Sequence, residues 1–219
     1  MLNLVFDTTA QASSVLLDKD GITVEKSVKK MEFGQAESLM LQIKDVLSNA
    51  KLKMENLDLI TVCTGPGSFT GVRSSLAAAR TFGLALPNVA LTGVSAFEAY
   101  VEDLQYDELA ELNAVIIETK RDDFYVQLFD ASKKSLQDPQ ALEYGDIINK
   151  LRHKKVSLIG DGVERFLIKP SGLSLHAIRM EDMPPIKALA RCGEERFNRK
   201  SLNYPKPLYL RAPDVCVKS

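Results

Sequence analysis

Three short strings hold most of the side chains and turns with which this chain could do chemistry. Asp7-Thr8-Thr9 closes an apolar run that begins at residue 2. An acid at a strand end can orient a metal-bound water while neighbouring hydroxyls and amides meet phosphate. Its plainer role is a turn whose side chains satisfy nearby backbone N–H groups. The second string, Thr64-Gly65-Pro66-Gly67-Ser68-Phe69-Thr70-Gly71-Val72-Arg73, joins an apolar run to an Ala-rich one. Its three glycines and proline let the backbone bend sharply and approach another group closely. Free amides ahead of a helix also suit an anion. The string lacks the Lys-Ser/Thr ending of a P-loop and the spacing of the dinucleotide fingerprint. The third, Glu118-Thr119-Lys120-Arg121-Asp122-Asp123, is bulky and charged where a second phosphate loop would want glycine and small residues. Asp161-Gly162 could sit near an adenosine, although a tight turn is the simpler account. Asp7, Thr8, Thr9, Gly65, Gly67 and Ser68 are thus the set from which a weak, vestigial nucleotide site would be built. No other cofactor is expected.

The rest of the chain must position these strings. With 219 residues it can hold one large domain or two small ones. It is 45% hydrophobic and 26% charged with formal net charge -1, which argues against a lone nucleic-acid binder. Lys29-Lys30, Lys133-Lys134 and Arg152 to Lys155 are short, scattered basic clusters, read as solvated surface. Cys63, Cys192 and Cys216 are an odd set without metal spacing, and Cys63 reads as a small core residue. No window approaches a membrane span, and no basic, cleavable start precedes Asp7, so a reduced, cytoplasmic protein with no membrane partner is expected.

Strands are expected at 2–7, 12–18 and 22–28, the last two joined by a turn at Lys19-Asp20-Gly21. Ala36, Leu39, Met40, Ile43, Val46 and Leu47 recur at helical spacing over about 35–50. A strand at 58–63, a helix at 70–86 closed by Pro87 and a strand at 89–93 follow. Ser95 with Glu98 three residues on is a capping box opening another helix. This β-β-β-α-β-α-β order calls for a mixed sheet with helices packed on it. Strands at 113–118 and 124–129 open the second half, and at a constant offset Asp7-Thr8 faces Glu118-Thr119, Val15 faces Val126 and Leu17 faces Leu128. That echo suggests a duplicated unit. Residues 156–162 read as strand then turn, Ile186 to Phe197 as a late helix, and the Pro-rich stretch from Tyr204 as extended.

Asp7-Thr8-Thr9, the Gly65–Arg73 string, Gly93-Val94-Ser95, the hairpin carrying Tyr125 and the closing Pro207-Leu208-Tyr209-Leu210-Arg211 together resemble one family. It is the bacterial TsaB (YeaZ) family of tRNA threonylcarbamoyladenosine biosynthesis proteins. The resemblance implies an α/β, actin-like (ASKHA) fold of two ribonuclease H-like domains with mixed sheets flanked by helices. Domains are expected at 1–105 and 106–203, with 204–219 an extended tail packing back on the first. It also implies a non-catalytic scaffold for TsaD, the subunit that transfers threonylcarbamoyl to N6 of an adenosine in tRNA. The ATPase TsaE joins the same assembly, and tRNA would be met only through the complex. Two departures stand out: Gln35-Ala36-Glu37-Ser38-Leu39 replaces a His-Ser-x-x-Leu start, and Glu118 and Lys120 stand where Asp and Arg are usual.

In the catalytic relative, the region matching Val94 to Tyr100 supplies two metal-binding histidines four residues apart, a spacing that puts both on one helix face. Here those positions are Ala96 and Tyr100. The two histidines of the chain, His153 and His176, lie in a basic stretch and an expected loop. Catalytic and metal-binding residues are therefore both read as none. The docking face expected for TsaD, and for a second copy when TsaD is absent, is built from helices 35–50 and 70–86. Its residues are Leu41, Val72, Arg73, Ser75, Leu76, Ala78, Ala79 and Phe82. Arg73 would contact the partner or tie down the Gly-rich loop. The competing reading is an ATP-dependent small-molecule kinase of the actin-like superfamily, which would need sound phosphate loops in both halves.

Overall fold

The computed structural model describes residues 1–31, 34–179 and 182–211. Strands β1 (Leu2–Asp7), β2 (Ala12–Lys19) and β3 (Ile22–Lys30) form a meander, followed by α1 (Gln35–Asn49), β4 (Leu59–Cys63), α2 (Phe69–Ala85), β5 (Ala90–Val94) and α3 (Ala96–Asp103). The second half repeats that order: β6 (Leu112–Glu118), β7 (Asp123–Asp130), β8 (Gln140–Glu143), α4 (Tyr144–Leu151), β9 (Val156–Ile159), α5 (Val163–Leu167), β10 (Leu175–Arg179) and α6 (Ile186–Asn198). Each half makes a five-stranded sheet, ordered β3-β2-β1-β4-β5 and β10-β9-β6-β7-β8. In both, the meander is antiparallel and the last two strands join in parallel. The β2–β3 hairpin turns through Asp20 and Gly21, both at positive φ, as a two-residue loop of this twist requires.

β1 and β4 are buried along their whole length because helices cover both faces of the first sheet. On its outer face α1 and α2 pack Leu39, Ile43, Val46, Val72 and Leu76 against Leu4, Phe6, Val15 and Ile60. On its inner face Val5, Leu16, Cys63 and Val94 meet α3 and α6, and the same cluster continues into Val115, Ile117 and Ile159 of the second sheet. The outer face of the second sheet is closed by α4 and α5. The layers therefore run α1/α2, first sheet, α3/α6, second sheet, α4/α5.

One packing detail fixes the middle layer. α6 lies across β4 of the first sheet although it belongs to the second half of the chain. Gly193 permits this, because a Cβ there would stand 2.1 Å from Thr61 Oγ1. Thr61 in turn donates to Asn3 Oδ1 at 3.0 Å inside the core.

Several expectations are corrected. Met40 is not in the α1 seam but 49% exposed; the buried polar residue Gln42 takes the inward place, donating to Ser13 O and Ser27 Oγ. The side chain of Ala36 lies outside the described residues, as do Cys216 and the tail from 212. His176 stands on β10 rather than in a loop. The elements β8, α4, α5 and β10 are additional to the expected ones. The capping box holds: Ser95 Oγ accepts from Glu98 N, and Glu98 Oε2 accepts from Ser95 N at 2.8 Å.

Candidate cleft and docking face

A cleft of about 1190 Å³ opens between the halves, and the loops at the carboxyl ends of β1, β4 and β6 line it. Thr9, Gly67 and Ser68 form part of one wall, and Glu118 to Arg121 part of the other. Ala96, Tyr100 and Ile117 contribute to its floor.

The first wall is locked together by backbone contact. Thr9 N donates to Asp7 Oδ1 at 2.8 Å, Ser68 N to Thr9 O at 2.7 Å, and Thr8 Oγ1 to Gly71 O at 2.7 Å. A Cβ on Gly71 would fall 1.8 Å from Thr8 O, and one on Gly67 2.3 Å from Thr9 O. Only glycine lets the 64–71 loop lie this close to the 7–9 turn. Ser68 Oγ is engaged as well, capping α2 by accepting from Gly71 N. Of the six residues expected for a nucleotide site, Thr9, Gly67 and Ser68 reach the cleft; Asp7, Thr8 and Gly65 sit behind them. Asp7 is buried beside Cys63, and burial pushes its carboxyl above the ordinary range, against the opposing pull of the Thr9 and Thr8 amides. Burial likewise pushes the Cys63 thiol well up, in keeping with a core role.

The second wall repeats the first with different chemistry. Lys120 N donates to Glu118 Oε1 at 2.5 Å, the counterpart of the Thr9–Asp7 bond. Gly160 at φ 119 matches Gly65 at φ 92, each where a parallel strand ends. Arg121 N donates to Thr119 Oγ1, which itself donates to Asp123 O. These loop amides are thus spent on the loop's own side chains. Burial opposes the charge on Glu118, but Arg165, at 2.6 and 2.8 Å, with the Lys120 amide holds its carboxyl below the ordinary value. Arg165 also donates to Asp123 O and lies 3.7 Å above the centre of the Phe124 ring. Asp161 accepts from Glu118 N at 2.9 Å, and burial, reinforced by the Glu118 charge, pushes its carboxyl up to about 7. Arg165 was missed in the sequence, where nothing marks it within a five-residue helix.

Ala96 and Tyr100 are fully buried in the cluster between the sheets, where they pack with Phe97 and Val94. Among the described residues, no three of His, Cys, Asp and Glu converge as a metal site.

The residues expected to form a docking face divide between two sides. Val72, Ser75, Leu76 and Ala79 are buried on the sheet-facing side of α2, so their inclusion is corrected: they are core. Ser75 Oγ bonds back to Gly71 O and Val72 O. Ala78 and Phe82 are half-buried, and Arg73 and Leu41 are exposed, Leu41 at 59%. Arg73 lies 5.1 Å over the Phe69 ring and, among the described residues, donates no hydrogen bond to the Gly-rich loop. The outward side of the α1/α2 layer also carries Met40, Ala77 and Leu84, the last 85% exposed.

Residues 32–164, well over half the chain, match the family described as TsaD, tRNA N6-adenosine threonylcarbamoyltransferase. An Escherichia coli protein named tRNA threonylcarbamoyladenosine biosynthesis protein TsaB is 25% identical, covering 95% of this chain and 94% of its own. An uncharacterized protein of Mycobacterium tuberculosis is 32% identical over 92 residues. That match covers 42% of this chain, which spans only 43% of the length of this mycobacterial relative. Among solved structures, YeaZ from Pseudomonas aeruginosa superimposes with a TM-score of 0.78 at 22% identity, covering 95% of this chain and 99% of that one. A ROK hexokinase of Thermus thermophilus shares the fold more loosely, with a TM-score of 0.51 at 11% identity over 90% of this chain and all of its own. The fold is thus α/β and actin-like, and the chain belongs to the TsaD family of tRNA N6-adenosine threonylcarbamoyltransferases, among its TsaB/YeaZ proteins.

Proposed function

We propose that this chain is a non-catalytic supporting subunit in the formation of threonylcarbamoyladenosine in tRNA. It holds and activates the TsaD transferase in an assembly that includes the TsaE ATPase, and it meets tRNA only through that assembly. Free of TsaD, it pairs with a second copy of itself through the same face.

The observation that carries this reading is what fills the positions of the transferase's metal-binding histidines. Ala96 has no donor atom, and both it and Tyr100 are packed into the apolar layer between the sheets. A neutral phenol in such a setting is a poor ligand. The name of the Escherichia coli relative, matched along nearly the whole of both chains, supports the pathway. The walls of the cleft support the absence of turnover, because Asp7, Thr8 and the Glu118 loop are engaged with their own backbone.

Docking is assigned to the outward face of α1 and α2, with the exposed Leu41 and Arg73 as contacts and the half-buried Ala78 and Phe82, which also pack on the core, at its border. Leu41→Arg places a charge on an exposed position and leaves the core untouched. Ala78→Arg places a charge nearer the α2 centre, at a half-buried position that borders the core, so native circular dichroism is required of it. Co-elution with TsaD on gel filtration is expected to be lost in both. Retention of the complex by both variants, with native circular dichroism, would place the interface elsewhere.

A further inference from the structure

After α6 the chain runs back along the molecule as an extended strap, residues 203–211, which ties the two halves together at the cleft. It begins on the first half. Gly93 N donates to Asn203 O at 3.0 Å, and Asn203 N donates to Thr92 Oγ1, so the strap covers the open edge of β5. Pro205 follows so closely that a Cβ on Gly93 would meet its Cα at 2.9 Å. Arg80 of α2 donates through two nitrogens to Pro205 O, at 3.2 and 2.8 Å, and lies over the Tyr204 ring. Leu208 N then donates to Thr64 O at 2.9 Å, beside the Gly-rich loop.

From Leu208 the strap starts across the cleft, with Tyr209 still resting on the first half. Tyr209 stacks on Phe69 with ring centres 5.3 Å apart. Arg211 forms an ion pair with Asp123 of β7 and lies over the ring of Tyr125. Leu208 to Arg211 therefore line the cleft while spanning from one wall to the other.

We propose that residues 203–211 are a clasp that sets the opening between the two halves of the molecule. The first-half end is fixed by backbone bonds to Gly93 and Thr64 and by Arg80. The second-half end rests on the Arg211–Asp123 ion pair, the Tyr125 ring and the packing of Leu210, and among the described residues it makes no backbone hydrogen bond to the second half. The clasp is therefore built to release from the second half first. Its release widens the cleft, while Tyr209 stays on Phe69 and the α3/α6 layer keeps the halves joined.

The test uses the full chain with Cys192→Ser and Cys216→Ser, carrying nitroxide labels at Lys26→Cys on β3 and Lys154→Cys before β9. Leu210→Ala combined with Arg211→Ala is expected to broaden the distribution of label–label distances and shift it to longer values. The Leu208 amide, held by Thr64 on the first half, is expected to keep its protection against exchange, as are the amides of Val5 and Val115. An unchanged distance distribution would overturn the proposal, and so would a Leu208 amide that exchanges roughly tenfold faster or more, because the first-half end would then have let go as well. If the double variant unfolds, Arg211→Gln alone is read by the same two measurements and the same two refuting results.

Discussion

Substituting Gly193 with alanine decides whether α6 is seated on the first sheet as described. On an exposed helix surface this change stabilises by about 1 kcal/mol, because glycine gives up more backbone freedom on folding. Here the new Cβ would stand 2.1 Å from Thr61 Oγ1 and 2.8 Å from Thr61 Cγ2. The Thr61 hydroxyl cannot swing away without leaving Asn3 Oδ1, its partner at 3.0 Å. Overfilling a packed contact costs about 1–3 kcal/mol, and an approach of 2.1 Å belongs in the upper half of that range, so with the glycine gain subtracted the net is destabilising by roughly 1–2 kcal/mol. Thr61→Ala alone should also destabilise, by about 1–3 kcal/mol, since it leaves a buried acceptor unpaired. Together the two changes should cost less than their sum by at least about 1 kcal/mol, because removing Oγ1 and Cγ2 makes room for the new methyl. Urea unfolding followed by circular dichroism at 222 nm gives all three values. A neutral or stabilising Gly193→Ala, or additivity within about 0.5 kcal/mol, would refute the seating of α6 on β4.

Other expectations concern charge in the cleft. Asp161 has its carboxyl raised to about 7 from 3.8, so its contribution to stability is full below pH 3.8 and lost as pH rises through 7. Asp161→Asn keeps an acceptor for Glu118 N and should be more stable than the parent at pH 8 by up to about 4 kcal/mol, with the gap closing toward pH 4. Equal pH slopes in urea melts would contradict this. Glu118 behaves oppositely: its carboxyl is lowered, so its pairing stabilises above pH 4.5 and is lost as pH falls through the folded value. Arg165→Ala should therefore cost about 1–3 kcal/mol at pH 7 and clearly less at pH 3, read from thermal midpoints in the two buffers. Saturating Mg-ATP should move the midpoint of the isolated protein by less than about 1 °C; a shift of many degrees would favour the kinase reading.

The first half of the fold was legible because its signals are strong and local. Continuous apolar strands, the Asp20-Gly21 turn and the Ser95–Glu98 box each fix their own element. The second half faded because its repeat is cut short. β8 is four residues at a sheet edge and largely uncovered, and α5 is only five residues, too short to show a helical period. Continuing the echo between Asp7-Thr8 and Glu118-Thr119 through the whole meander would have called for a third strand near β8.

The docking set shows where periodicity misleads. Small residues around α2 suggest a partner-facing surface beside the one that packs on the sheet, yet Ser75 and Ala79 both lie on the buried side. In α1, Met40 adjoins Leu39 and falls in the expected apolar stripe, whereas the buried place belongs to Gln42, which no hydrophobic count can find. The cleft's ion pairs were illegible for a different reason: Arg165 and Arg211 reach Glu118 and Asp123 only once two distant stretches are folded.

The most direct test of the supporting-subunit account is reconstitution of the modification itself. TsaD, TsaE and the adenylate-forming enzyme would be combined with unmodified tRNA, with and without this chain, and threonylcarbamoyladenosine measured by mass spectrometry of the digested nucleosides. The account predicts product only when the chain is added together with TsaD. Product formed by the chain without TsaD, or formed equally well when the chain is left out, would contradict it.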